Sequence, residues 1–195
     1  MNKIVSGKEY QEKEFRNINM FESNIKSCEF SDCTFNECDF SGTAFYKCVF
    51  DSCRFCGTNF AAAGFFNSRM HRCSFDNCKL IGINWSPLKR VIGLMLDMKY
   101  CDLSYSTFLD MDLSGSKFVD SRIHEADFSG SVLNNTIFKS CDLLRTTFYH
   151  TDLSGSDFRD SFNYLFDPGS NKCGGARFSS AEALNLLRSY GIIIE

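Results

Sequence analysis

The sequence predicts an all-β solenoid, a stack of coils that bury one another, ending in a short α-helix. Three observations lead there. A large apolar residue returns every fifth position, through Phe30, Phe35, Phe40, Phe45, Phe50, Phe55, Phe60, Phe65, Met70, Phe75, Leu80 and Trp85. Two positions before these centres stands a small residue, as in Cys38-Asp39-Phe40-Ser41-Gly42 and Ala126-Asp127-Phe128-Ser129-Gly130. The remaining positions are polar, so two residues of each five point inward. A helix needs apolar spacing near 3.6 and a half-buried strand needs 2, so neither produces this pattern. A coil with such a face cannot bury it alone and must stack on a neighbour.

The elements follow in order. Met1 to Phe15 is polar and charged, which predicts a cap and no secretory signal. The centres Phe15, Met20 and Ile25 lead into a first stack over residues 15–85. The register then fails from Ser86 to Tyr100 and resumes in a new phase at Leu103, Phe108, Leu113, Phe118, Ile123, Phe128, Leu133, Phe138, Leu143, Phe148, Leu153 and Phe158. Trp85 and Leu103 are 18 residues apart, which is not a multiple of five, so a 15-residue insertion is expected to divide two stacks, 15–85 and 101–160. Ser86-Pro87 and Gly93 predict a turn and a bulging loop, with Leu88, Val91, Ile92, Leu94 and Met95 folding back as a short helical turn. The β-helix is thus assigned to residues 1–163 and a helical tail to 164–195. In the tail, Ser179 and Glu182 have capping-box spacing, Ala183, Leu184, Leu186 and Leu187 supply an apolar helix, and Gly191 ends it. Leu184, Leu187, Ile192, Ile193 and Ile194 require cover, either on the last coil or across a two-fold axis, and the second is the expectation.

Composition narrows the function classes. The 195-residue chain has only two prolines and no Gly/Ser-rich linker, which predicts one domain with a tail. Val91 to Met95 is far too short an apolar stretch to cross a bilayer, so a cytoplasmic protein without membrane contact is expected. A net charge of −3 offers no basic stripe for direct nucleic-acid binding. The eleven cysteines are an odd number, and nine (Cys28, Cys33, Cys38, Cys48, Cys53, Cys73, Cys78, Cys101 and Cys141) occupy the small slot that Ser, Thr and Ala fill elsewhere. They read as reduced core thiols. His71, His124 and His150 fall at outward positions on distant coils, with no phosphate loop or zinc-ligand spacing nearby, so neither catalysis nor a metal or other cofactor is expected.

The consensus of these segments resembles the pentapeptide-repeat family, whose repeat is Ala-Asp/Asn-Leu-x-x, over residues 15–160. That resemblance implies the right-handed quadrilateral coil, with four repeats per turn, and a rod of about 33 Å at a strand spacing of about 4.8 Å. Within the family, the layout is similar to the quinolone-resistance (Qnr) proteins and to immunity proteins against gyrase-poisoning peptides. The likeness is carried by the polar start, by Cys101-Asp102-Leu103-Ser104-Tyr105-Ser106-Thr107-Phe108 after the interruption, and by the terminal helix running into Gly191-Ile192-Ile193-Ile194. A second, smaller loop found in Qnr proteins is absent. The resemblance implies a homodimer whose anionic rod engages DNA gyrase or topoisomerase IV as a DNA mimic; a scaffold for another protein is the alternative. Two rods would total about 66 Å, the length of about 20 base pairs.

Candidate contacts are Tyr46 and Phe66, outward and twenty residues apart so that their rings should stack, together with Lys89, Arg90 and Met95 in the interruption. The second stack holds ten acidic residues against Lys117, Arg122, Lys139, Arg145 and Arg159, and is the more anionic half.

Overall fold

The computed structural model describes residues 3–88 and 94–193. They form a right-handed parallel β-helix with four faces, each advancing one coil every twenty residues. The first face is a four-stranded sheet of Glu9–Gln11, Glu29–Ser31, Val49–Asp51 and Arg69–His71. The second is a seven-stranded sheet running from Glu14–Arg16 through Thr34–Asn36, Arg54–Cys56, Cys73–Asp76, Leu96–Lys99 and Lys117–Val119 to Ile137–Lys139. The third is a ladder of single bridges, Asn19↔Asp39↔Asn59↔Lys79↔Asp102↔Arg122↔Asp142↔Phe162. The fourth carries Asn24–Lys26, Ala44–Tyr46 and Gly64–Phe66, then the bridges Asn84↔Thr107↔Asp127↔Thr147.

The axial core is a set of ring ladders. Phe15, Phe35, Phe55 and Phe75 stack along the second face with centroids 4.9 Å apart at each step. Rings on adjacent faces meet edge to face, as Phe30 and Phe35 do at 5.3 Å and 72°. Offset stacking along the rod and T-shaped contact across it are the two arrangements favoured by the ring quadrupole.

The small slot does more than leave room. Its side chain donates to the main-chain carbonyl of the preceding centre one coil below: Cys48 Sγ to Ile25 O at 3.5 Å, Thr136 Oγ1 to Leu113 O at 3.0 Å, Ser156 Oγ to Leu133 O at 2.7 Å. Serines in the slot can also accept a main-chain N–H, as Ser121 Oγ does from Cys101 at 3.1 Å. Where the slot holds Cys, Ser or Thr, small size is thus combined with an S–H or O–H donor that satisfies backbone groups inside a narrow coil. All eleven cysteines are free thiols. The recurrent aspartate before a centre fixes the turn that follows it: the Asp112, Asp127 and Asp152 carboxylates each accept from the N–H and hydroxyl of the serine two residues on.

The interruption is narrower than the phase break predicts. Leu96–Lys99 is a strand paired with Cys73–Asp76 below and Lys117–Val119 above. Met98 pairs with Phe75, a step of 23, so this coil absorbs three extra residues and the two stacks are one continuous rod. Leu88, Leu94 and Leu96 are buried, and Ser86–Leu88 is a single 3-10 turn; the rest of the expected helical turn, Val91 and Ile92, lies outside the described residues.

The tail boundary also moves. The bridges Asp152↔Lys172 and Asp157↔Arg177 extend the coil past residue 163. An α-helical turn, Ser180–Ala183, then tightens into the 3-10 helix Leu184–Tyr190. Gly191 ends it in the left-handed conformation at φ 73, as its residue type predicts. The capping box does not form. Ser179 Oγ instead accepts the Asp160 N–H at 2.9 Å and Glu182 Oε2 the Asn163 N–H at 3.1 Å. Both side chains serve donors of the last coil in place of the helix's own.

Candidate interaction surfaces

Tyr46 and Phe66 occupy adjacent rungs of the fourth face, and their rings stack 4.9 Å apart at 19°, as the twenty-residue spacing predicts. Lys26, one rung below, holds its ammonium 5.9 Å from the Tyr46 ring. Gly64 makes the arrangement possible: a Cβ there would lie 2.6 Å from Phe66 Cε2, so the ring rests on the bare strand beside it. Both rings remain well exposed. Of the candidates in the interruption, Met95 is exposed, while Lys89 and Arg90 lie outside the described residues. Tyr46, Phe66 and Met95 are not gathered into one cluster by any described contact.

Charge is sorted by face in the second half of the rod. Lys117, Arg122, Lys139, Arg145 and Arg159 all lie on the second and third faces, where Arg122 reaches Asp102 and Arg145 reaches Glu125, each at 3.5 Å. The fourth and first faces between residues 106 and 155 hold Asp110, Asp112, Asp127 and Asp152 and no Lys or Arg. Asp152 meets Lys172 at 3.5 Å; Asp110, Asp112 and Asp127 form no ion pair among the described residues. At Gly130, φ +70, the absent Cβ leaves space for the Asp110 carboxylate, which would be 2.4 Å from it. A single-sign edge thus runs along one side of the rod. The sequence count found the acidic excess; assigning each residue to a face locates it.

A polar pair escaped the sequence reading. His124 Nε2 lies 2.7 Å from Asp142 Oδ2, and both side chains are about three-quarters buried. Burial would raise the Asp142 carboxyl, but the Asn163 amide, which donates at 2.8 Å, and the His124 ring outweigh it and hold it below the usual carboxylate range. The twenty-residue spacing places Asp142 beside Arg122 and does not reveal the diagonal contact with His124. Among the described residues no group of three or more His, Cys, Asp or Glu could hold a metal ion, and no helix is long and apolar enough to cross a membrane.

At the C-terminal end, Leu184 and Leu187 are exposed, as are Tyr190, Ile192 and Ile193, whereas Leu186 is buried against the coil. Ile194 lies outside the described residues. The helix therefore covers the last coil with one stripe and leaves another uncovered.

Comparison with known proteins agrees with this architecture. A family model described as pentapeptide repeat region matches residues 28–91, and one described as pentapeptide repeats (8 copies) matches 97–135 and 121–160. No curated protein matches the chain. Among solved structures, HetL, a pentapeptide repeat protein involved in heterocyst differentiation regulation from the cyanobacterium Nostoc sp. strain PCC 7120, is 14% identical, with 88% of this chain and 85% of that one covered, at a TM-score of 0.72. A trypsin-treated form of QnrB1, a plasmid-mediated fluoroquinolone resistance protein, is 16% identical over 97% of this chain and 92% of its own, at a TM-score of 0.70. Full-length QnrB1 is 17% identical over 94% and 100%, at 0.61. Identities this low carry the fold alone. From the period-five core, the four-faced coil and the matched repeats, the chain belongs to the pentapeptide-repeat family.

Proposed function

We propose that this protein is a non-catalytic, cytoplasmic binding protein whose rod engages the DNA-handling surface of DNA gyrase or topoisomerase IV as a DNA mimic and protects the enzyme from quinolones or peptide toxins. The observation that carries the reading is the edge of Asp110, Asp112, Asp127 and Asp152, with no Lys or Arg on either face that forms it between residues 106 and 155. Such an edge attracts a basic, DNA-binding partner surface and steers its approach. The serine hydrogen bonds that fix Asp112, Asp127 and Asp152 hold three of the carboxylates in place before any partner arrives.

The rod acts as a homodimer in this proposal, joined through the exposed stripe of Leu184 and Leu187 and the Ile192–Ile193 segment. The Tyr46–Phe66 pair and Met95 are further contacts on the enzyme. A supercoiling titration with purified gyrase, with a quinolone and separately with a peptide poison, tests the reading. Protection that is lost in the triple variant Asp110→Lys, Asp112→Lys, Asp127→Lys is the expected result. A second reading, a scaffold for a different protein, is favoured by the mild net charge of −3. The fold does not separate the two, since HetL and QnrB1 superpose almost equally well.

A further inference from the structure

In a 3-10 helix the side chains at i and i+3 eclipse, so Leu184–Tyr190 presents three separate stripes. Leu184 and Leu187 form the exposed apolar one, with Tyr190 beyond them turning its hydroxyl back to Gly169 and Asp167, and Leu186 belongs to the buried one. Asn185 and Arg188 form the third. They line one wall of a groove of about 700 Å³ whose other wall is the last coil. That volume lies within the roughly 300–1,000 Å³ of small-molecule sites, and the groove uses a different side of the helix from the proposed dimer stripe.

The coil wall supplies Leu144, Tyr149, Leu165 and Phe166 as apolar and aromatic surface and Arg145 as a second cation. Arg188 has no ion pair among the described residues, and Arg145 has only the exposed 3.5 Å contact with Glu125. The one carboxylate in the lining, Asp167, is already occupied: it accepts the Gly169 N–H at 2.8 Å and the Tyr190 hydroxyl. Tyr164 also lines the groove, is 1% exposed, and its hydroxyl has no hydrogen-bond partner. Burial, and the nearby Glu182 carboxylate, push that hydroxyl up to about 12, so it stays protonated. A buried hydroxyl left unpaired is costly, and in native structures such groups have a partner.

We propose that this groove binds a small planar apolar carboxylate. Arg188 and Arg145 take the carboxylate, for which the guanidinium fork is the matching donor, and the aromatic wall takes the flat body.

Calorimetric titration of the intact protein with 2-naphthoate, and with neutral 2-naphthamide, tests the assignment. Naphthoate binds at least tenfold more tightly than the amide, and Arg188→Ala, at an exposed position, weakens naphthoate by about tenfold or more. Tyr164→Phe raises the melting temperature of the free protein, because the unpaired hydroxyl is gone, and keeps naphthoate affinity. Leu187→Glu, on the neighbouring stripe, leaves naphthoate binding unchanged. Absence of naphthoate binding, equal affinity for the two probes, or full affinity in Arg188→Ala overturns the proposal. Loss of binding in Leu187→Glu also overturns it, because the groove would then be part of an interface between copies of the chain.

Discussion

The Trp85 indole and the Phe108 ring stack 5.8 Å apart and 4° from parallel, although 23 residues separate them in place of the usual twenty. Below, the indole lies 5.7 Å from Phe65, so the ring ladder of the fourth face crosses the irregular coil without a gap. Trp85 is fully buried between these two rings, the largest side chain in the ladder. Trp85→Ala is expected to cost about 3–5 kcal/mol in denaturant unfolding. Trp85→Phe should cost less, since it also removes an indole N–H that is buried without a partner. Equal losses in the two variants would mean that the indole's extra volume is not what bridges the interruption.

Donors in the small slot predict a second effect. Thr136→Val keeps the shape but removes the 3.0 Å bond to the Leu113 carbonyl, and a loss of about 1 kcal/mol is expected. The carbonyl keeps its second donor, the Ser116 N–H, which limits the cost. A Val variant as stable as the parent would return the slot to a matter of size alone.

Thiol chemistry should follow burial. Desolvation pushes Cys48 up to about 11 and Cys141 up to about 12, so both remain protonated and shielded near neutral pH. Native protein treated with iodoacetamide should be labelled at the half-exposed Cys56 and Cys173, and at all eleven cysteines only after denaturation. Peptide mapping that finds Cys48 or Cys141 alkylated in the folded state would contradict this.

Asp142 gives the rod an acid sensitivity of definite sign. Its folded-state carboxyl is held below the unfolded value of about 3.9, so the stability it contributes is present above that value. It is lost as pH falls through the lower folded value. Urea midpoints measured from pH 6 downward should drop below about pH 4, and Asp142→Asn should flatten that part of the profile. An unaltered profile in the variant would assign the acid loss to other carboxylates.

The repeat core was legible in the sequence because the centres Phe30 to Trp85 keep a spacing that only stacked coils satisfy. The Tyr46–Phe66 stack follows from the same spacing. The donor role of the slot was hidden because Ala63 and Ala126 occupy it too, and a substitution pattern of small residues reports volume before it reports hydrogen bonding. The phase break between Trp85 and Leu103 overstated the insertion: a three-residue excess shifts every later centre, whether the coil is interrupted or only widened. Met95 is exposed between buried Leu94 and Leu96, so Met95→Ala probes that surface without disturbing the coil. The Ser179/Glu182 spacing fits a capping box, but donors on the last coil, Asp160 N–H and Asn163 N–H, compete for both side chains and win. Local motifs cannot report such tertiary competitors.

Equilibrium binding of this protein to purified DNA gyrase in competition with duplex DNA is the most direct test of the proposed function. The expected result is saturable binding that rising duplex concentration displaces, that weakens steeply with salt, and that falls when Asp110, Asp112 and Asp127 are changed to lysine. Absence of binding, or binding indifferent to both duplex DNA and these three aspartates, would contradict it and leave the rod a scaffold for a different partner.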